Sequence, residues 1–364
     1  MAKYDYLIIG AGLFGATIAQ QLTKKGFKVL VIDQRPHLGG NCYTEAKDGI
    51  NIHKYGAHIF HTSNDQVWQY VNQFARFNHY VNRPKVHYQN KIYSFPINLM
   101  TLYQLWNVTT PEQAQKKLDT VKIPNPNPQN LEEWILSQVG REIYEIFIKG
   151  YTTKQWDRDP KELPSFIIKR LPIRLTFDDN YFNDCYQGIP IGGYTSMIQK
   201  MLEGIELKLN TDFFSDRKNL TSQAKHMVFT GKIDKYFNYC HQELEYRSLR
   251  FETEKLSIPD FQGNAVINYT DAAVPYTRII EHKHFEFLTT DHTYVTHEYP
   301  DTWTTKKIPY YPVNNDANTQ IYQKYQTLAQ KEKNVFFGGR LAEYKYYDMD
   351  DTIEAAFNLL KRLP

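Results

Sequence analysis

The stretch YLIIGAGLFGATIAQQL, residues 6 to 22, constrains the fold more than any other part of the chain. An apolar run, Tyr6 to Ile9, suits a buried strand. Gly10-Ala-Gly12-Leu-Phe-Gly15 follows, and Ile18, Ala19 and Leu22 then recur at helical spacing. In a G-x-G-x-x-G turn between strand and helix, the first glycine permits the tight turn. The second lets a diphosphate approach the backbone, and the third allows close helix–strand packing. The helix N-terminus also offers free N–H groups and a positive dipole end to phosphate. Gly26-Phe27-Lys28 turns the chain into a second strand, Val29 to Ile32, which ends at Asp33. An acidic residue about twenty positions beyond the glycines is placed to hold a ribose hydroxyl. Strand, turn, helix, strand and acid fall in order, and they predict a dinucleotide-binding βαβ unit.

Further elements of the same kind lie far along the chain. Gly188 to Gly193 is a turn before a helix, Thr195 to Leu202. Met227 to Thr230 and Val335 to Phe337 read as short buried strands. The second is followed by Gly338-Gly339-Arg340, and Ile353, Ala356, Phe357 and Leu360 mark a closing helix. Between them, Asn82 to Phe95 is polar and tyrosine-rich, suggesting strands or a strand-turn-strand. Leu99 to Val139 is helical in pattern, broken by the loop Pro124 to Pro128, and Leu131 to Lys149 reads as one helix. Residues 244 to 313 alternate like an antiparallel sheet. The expected class is therefore α/β with α+β inserts. A discontinuous dinucleotide-binding domain would take residues 1–80, 190–243 and 330–364. A helical domain would take 98–180, and an antiparallel-sheet substrate domain 81–97, 181–189 and 244–329.

Bulk properties exclude other classes. A net charge of +3 over 364 residues gives no field for nucleic acid. No apolar run approaches a bilayer span, and the N-terminus lacks signal-peptide anatomy. Cys42, Cys185 and Cys240 are scattered and odd in number, without zinc spacing or a disulfide framework, which predicts a reducing, cytoplasmic setting. The Asn-X-Thr sequons at Asn107, Asn219 and Asn268 carry no meaning without secretion. Aromatic residues make up 15%, with 28 tyrosines, a supply of faces for sugars and rings as well as for cores.

After Asp33 comes Arg35-Pro-His-Leu-Gly39-Gly40-Asn41. A second glycine pair there resembles the Rossmann-like FAD enzymes of the glutathione-reductase type, in which the chain wraps the cofactor diphosphate. Gly338-Gly339-Arg340 before the last helix fits the same resemblance. The motifs KYGAHIFHT (54 to 62), YTTKQW (151 to 156), RLPIRLTFDDNYF (170 to 182), YQGIPIGGYT (186 to 195), VPYTRIIEHKHF (274 to 285), PYYPV (309 to 313) and GGRLAEYKYYDMD (338 to 350) are more specific. With them the chain resembles the bacterial UDP-galactopyranose mutase family from its first strand to its last helix.

The resemblance implies an isomerase that interconverts UDP-galactopyranose and UDP-galactofuranose, for galactofuranose biosynthesis and cell-surface polysaccharide. FAD, active when reduced, would act through N5 as a covalent nucleophile on the anomeric carbon, with no net redox change. Arg170 and Arg278 match the family's diphosphate arginines. Phe147 and Tyr151 match the uracil platform, with Trp156 on the same segment; by spacing alone Phe147 and Trp156 read as core. Tyr181, Tyr310 and Tyr346 match hydroxyls that reach the diphosphate, and Asn82, Asn268, Arg247 and Asp348 match further substrate contacts. The resemblance sets His58 and His61 beside flavin and sugar. Spacing alone would allow them as a metal pair, but no third and fourth ligands follow, so no metal is expected. Cofactor contacts are implied at Gly10, Gly12, Phe14, Gly15, Asp33, Gly39, Gly40, Asn41, His58, Ile59, Arg340, Asp348 and Met349. The segment Phe147 to Asp179 would close over the bound nucleotide sugar. A homodimer and an unidentified electron donor, NAD(P)H among the candidates, complete the implied partners.

No residue stands out as a general base. Ile148 and Ala342 depart from some relatives and leave the sugar's substituents open, so UDP-N-acetylgalactosamine and dTDP-fucose stay as alternative substrates. An ordinary FAD oxidoreductase would share the N- and C-terminal glycine signatures without needing a convergent diphosphate site. A non-catalytic nucleotide-sugar or flavin-binding protein would bind without isomerising.

Overall fold

The first apolar run forms the strand Tyr4–Ile9, central in a five-stranded parallel sheet. Across the sheet the strands run Val335–Phe337, Ala224–Phe229, Tyr4–Ile9, Val29–Ile32 and Glu206–Lys208. Tyr6 pairs with Val29 on one side and His226 on the other. Both faces are covered, which is why these strands read as near-continuous apolar runs. Tyr6, Ile8, Val29 and Val31 belong to one core cluster, shared with the helices Leu13–Lys24 and Met349–Leu360. Leu7, Leu30, Ile32, Phe213, Phe229 and Tyr236 form another. The glycine turn leaves the carboxyl end of the central strand, where open α/β sheets bind their ligands.

The computed structural model describes residues 2–169 and 171–364. It divides into two compact units. The first comprises the chain up to His79, Asp184–Tyr246 and Lys307–Pro364; the second comprises Tyr80–Asn183 and Arg247–Lys306. In the second, the strands Tyr246–Leu256, Thr293–Thr302, Arg278–Glu281, Val266–Tyr269, Lys85–Tyr88 and Lys91–Ser94 are neighbours in that order. All these pairings are antiparallel except that of Val266–Tyr269 with Lys85–Tyr88. Helices cover this sheet: Val86, Tyr93 and Phe95 share one core with Leu99, Leu102, Leu131, Ile135, Val139, Ile143 and Phe147. That shared core places the helical segment and the strands in a single unit.

The stretch read as one helix, Leu131 to Lys149, is instead interrupted. An α-helix, Leu131–Ile143, contains Gly140 at φ 77°, and a π-helical turn, Tyr144–Lys149, leads into the helix Gly150–Trp156. A Cβ on Gly140 would lie 2.3 Å from the Val121 carbonyl oxygen, so the neighbouring helix end presses on the backbone there. The widened turn then resets the face on which Tyr151 projects. Among the described residues no helix is long and apolar enough to cross a membrane.

Candidate functional site

In the first unit three glycine-rich segments meet at the start of Leu13–Lys24. The N–H of Ala11 donates to Asp33 Oδ2 at 2.8 Å, and the N–H of Arg35 donates to Asp33 Oδ1 at 2.9 Å, pinning the carboxylate beside the turn. The N–H of Gly39 donates to the Ala11 carbonyl at 2.8 Å, and Gly12 and Gly39 pair like strands. A Cβ on Gly15 would sit 1.9 Å from the Gly10 carbonyl oxygen, and one on Gly40 would sit 3.0 Å from the Gly12 Cα. Gly338 and Gly339 lie against the Phe14 ring. No side chain caps this helix, and its first turn carries no acid. Its uncapped N–H groups and the close backbone approach at Gly15 and Gly40 fit the diphosphate of a dinucleotide.

The other first-unit residues surround that cradle. Arg35 donates to Asn41 Oδ1 at 3.0 Å and lies over the Tyr55 ring. Arg340 donates to the Tyr310 carbonyl at 2.6 Å and covers the Tyr346 ring, which stacks on Tyr311. Cys42 is buried, which pushes its thiol up to about 12 despite the nearby Arg340 and Arg35 guanidiniums. Ile59 is buried. Met349 opens the last helix and Asp348 is its N-cap, in a capping box with Asp351. His58 donates from Nδ1 to the Gly56 carbonyl at 2.8 Å. His61 Nδ1 lies 2.7 Å from Asp184 Oδ2, and its Nε2 lies 3.9 Å from Asp348 Oδ2. The pairing of Phe60–Thr62 with Tyr186–Gly188 sets the histidine and Asp184 in reach. Burial raises the carboxyls of Asp350 and Asp351, and His61 opposes it at both.

The second unit brings together Tyr151, Arg278 and Asn268. Sheet register places Asn268, Arg278 and Glu298 directly opposite one another on three adjacent strands, so their side chains share a face. Arg278 Nη2 donates to the Tyr151 hydroxyl at 2.6 Å, and its Nε lies 3.0 Å from Glu298 Oε1. Glu298 is 1% exposed; burial raises its carboxyl and Arg278 pulls it back. Burial pushes the Tyr151 phenol up to about 12, against the pull of Arg278. Arg247, also buried, donates from Nε to the Gln155 carbonyl at 3.1 Å, and its Nη1 lies 3.6 Å from Asp157. Those contacts bracket Trp156, which is half-buried against the helical core. The N–H of Tyr181 donates to the carbonyl of Asn82 at 2.8 Å.

Two expectations of the uracil–diphosphate set stand apart. Phe147 is 2% exposed, edge-on to Tyr93 and parallel to Phe95, so its ring lies in the core, where its spacing puts it. Arg170 lies outside the described residues. Sequence reasoning also passed over three residues: Glu298, Asp184 and Lys154. The first two carry no local signal, because only strand register and strand pairing put them beside Arg278 and His61. Lys154 lies inside the YTTKQW motif, where a charge three residues after Tyr151 was the available clue.

Comparison with known proteins identifies the family. The model of the UDP-galactopyranose mutase family matches residues 146–346, and that of an NAD(P)-binding Rossmann-like domain matches residues 8–74. The chain is 42% identical to a probable UDP-galactopyranose mutase of Klebsiella pneumoniae, over 98% of this chain and 94% of the relative. It is also 42% identical to a dTDP-fucopyranose mutase of Escherichia coli, over 96% of each. A solved structure of reduced UDP-galactopyranose mutase shares its fold with a TM-score of 0.76 at 15% identity, covering 100% of this chain and 95% of the other. Mutase family and Rossmann-like domain together point to FAD as the cofactor, and the glycine cradle fits it. The chain belongs to the UDP-galactopyranose mutase family and is an isomerase.

Proposed function

We propose that the enzyme interconverts UDP-galactopyranose and UDP-galactofuranose, with reduced FAD as a covalent catalyst and no net change of redox state. The observation that carries this reading is Arg278, held on one side by buried Glu298 and on the other by the Tyr151 hydroxyl. An oriented guanidinium is suited to bidentate contact with a diphosphate. Cleavage of the anomeric C–O bond leaves additional negative charge on the departing UDP. A fixed cation beside that charge favours the cleaved state more than the intact one.

The glycine cradle would hold FAD, which in reduced form would supply an electron-rich N5 as nucleophile toward the anomeric carbon. The remaining tasks belong to the protein's own residues. Gly10, Gly12, Phe14, Gly15, Asp33, Gly39, Gly40, Asn41, Ile59, Arg340 and Met349 hold the cofactor. His58 keeps its Nδ1 proton on the Gly56 carbonyl and in this reading stands beside the flavin. Asp184 orients His61, which faces Asp348 with its other nitrogen. Asn82, Asn268, Tyr181, Arg247, Trp156, Tyr310 and Tyr346, with Arg170 as the second diphosphate arginine, complete the substrate set of this reading. It further includes a cytoplasmic homodimer, reduction by a donor such as NAD(P)H, and a product used for cell-surface polysaccharide.

A second substrate is favoured by one finding, the equal identity to a dTDP-fucopyranose mutase. The deciding experiment is anaerobic. UDP-galactofuranose is mixed with the yellow protein, with and without dithionite, and conversion to UDP-galactopyranose is followed by chromatography. Conversion only when reduced is the expected result. No conversion of either nucleotide sugar by the reduced, FAD-loaded protein would overturn the mutase reading.

A further inference from the structure

Lys154 sits one helical turn after Tyr151, on the same side of the helix Gly150–Trp156. Its ammonium donates into a nest of four backbone carbonyls: Tyr269 at 2.7 Å, and Asp271, Val274 and Tyr276 at 2.9 Å each. Those carbonyls come from the end of the strand Val266–Tyr269 and from the loop that joins it to Arg278–Glu281, the strands that carry Asn268 and Arg278. The same loop meets the start of the helix. A Cβ on Gly150 would lie 2.1 Å from the Thr270 carbonyl oxygen, and the Thr270 hydroxyl donates to the Ile146 carbonyl.

The hairpin is thus fastened to the helix at its closed end by Gly150 and Lys154. One turn away on the helix, the Tyr151 hydroxyl takes the Arg278 hydrogen bond. An ammonium has three N–H donors and no acceptor, so carbonyls gathered from several residues around one nitrogen are a cation site built from backbone. Burial lowers the Lys154 ammonium to about 8 and Asp271 opposes this, so the group stays charged at neutral pH. A lysine used only for solubility would not be stripped of water to face four carbonyls.

We infer that Lys154 is a positioning residue for nucleotide-diphosphate binding: it locks the loop 269–276 to the helix, and so sets the Tyr151–Arg278 bond and the orientation of the Arg278 guanidinium. This rests on the proposed role of Arg278 as the diphosphate cation. Lysine acts here through the backbone and touches no substrate.

The test uses the FAD-loaded full chain and UDP as the probe, with affinity read by calorimetry. Lys154→Met keeps the length and loses every donor; Lys154→Gln keeps an N–H donor in the nest and serves where the methionine variant does not fold. The expected result is UDP binding at least tenfold weaker, at unchanged FAD content. A double-mutant cycle with Tyr151→Phe separates positioning from general loosening. If Lys154 acts through the Tyr151–Arg278 bond, its effect shrinks severalfold once that hydroxyl is gone. Affinity within twofold of the native protein would overturn the inference, and so would an effect of equal size in both backgrounds. Failure of the native protein itself to bind UDP or dTDP would instead overturn the diphosphate role of Arg278, and the inference with it.

Discussion

Arg278→Lys separates charge from geometry at the diphosphate site. Arginine presents a fork: Nε toward Glu298 at 3.0 Å and Nη2 toward the Tyr151 hydroxyl at 2.6 Å. Lysine keeps the positive charge but places it at one point, so it satisfies one of those partners and leaves no fixed N–H pair for phosphate. A hydrogen bond to a charged group contributes about 1.5–3 kcal/mol. Leaving a buried acid half-paired costs more, but Arg278 is 23% exposed and water recovers part of that loss. A net loss of about 2 kcal/mol in UDP affinity follows, roughly thirtyfold in Kd. Calorimetric titration with UDP measures it, and the flavin spectrum confirms that the first unit is loaded. On the proposed role of Arg278, the lost contacts orient the charge beside departing UDP, so kcat/KM falls at least as far as affinity. Binding within threefold of the native protein would mean that any cation suffices, and the fork argument would be refuted.

Gly15→Ala places a methyl 1.9 Å from the Gly10 carbonyl oxygen, backbone that cannot give way locally; the variant is expected to purify colourless or with substoichiometric FAD, and a full flavin complement would contradict the cradle. Tyr151, raised to about 12 by burial, gives a stability contribution that is complete below the unfolded phenol value near 10 and is lost as pH rises through the folded value. The native protein's stability should therefore fall by about 1.4 kcal/mol per pH unit more steeply than that of Tyr151→Phe in this window. Parallel melting curves for the two proteins at about pH 9 and 11 would remove Tyr151 from the account.

The dinucleotide unit was legible because its determinants are local. Tyr4 to Ile9 is buried on both faces and therefore continuously apolar, and the glycines must stand where backbone meets backbone. The break in Leu131 to Lys149 was not legible. Gly140 looks like a tolerated residue in a helical pattern, and its φ answers to the carbonyl of Val121, a contact that exists only after folding. The same limit governs the site. Arg278 could be singled out through a family motif, whereas its brace, Glu298, lies in an alternating strand where a carboxylate reads as solvent-facing. Only the register of Thr293–Thr302 against Arg278–Glu281 turns it inward. Phe147 shows the converse. Its motif position suggested a platform, whereas its helical spacing after Ile143 reads as core, and the ring is buried as the spacing predicts.

Equal identity to two mutases leaves the substrate to physical discrimination. The nucleotide sugars named by those relatives differ in three places: thymine carries a methyl that uracil lacks, dTDP lacks the ribose 2′-hydroxyl, and fucose lacks the galactose 6-hydroxyl. An extra methyl in an apolar site changes specificity by about 10–200-fold, whereas losing a hydroxyl that the site hydrogen-bonds costs about ten-thousandfold or more. The base methyl is thus the weak discriminator and the hydroxyls are the strong ones. If UDP-galactose is the substrate and the site hydrogen-bonds the ribose 2′-hydroxyl, UDP should outcompete dTDP by more than the roughly hundredfold that the base methyl alone accounts for. The reduced enzyme should then prefer UDP-galactose over dTDP-fucose in kcat/KM by more than the UDP-to-dTDP ratio alone, because the 6-hydroxyl adds its own term. Measuring the four numbers on one preparation separates nucleotide from sugar recognition. A kcat/KM for dTDP-fucose above that for UDP-galactose would overturn the assignment and show that the sugar pocket pairs with no 6-hydroxyl.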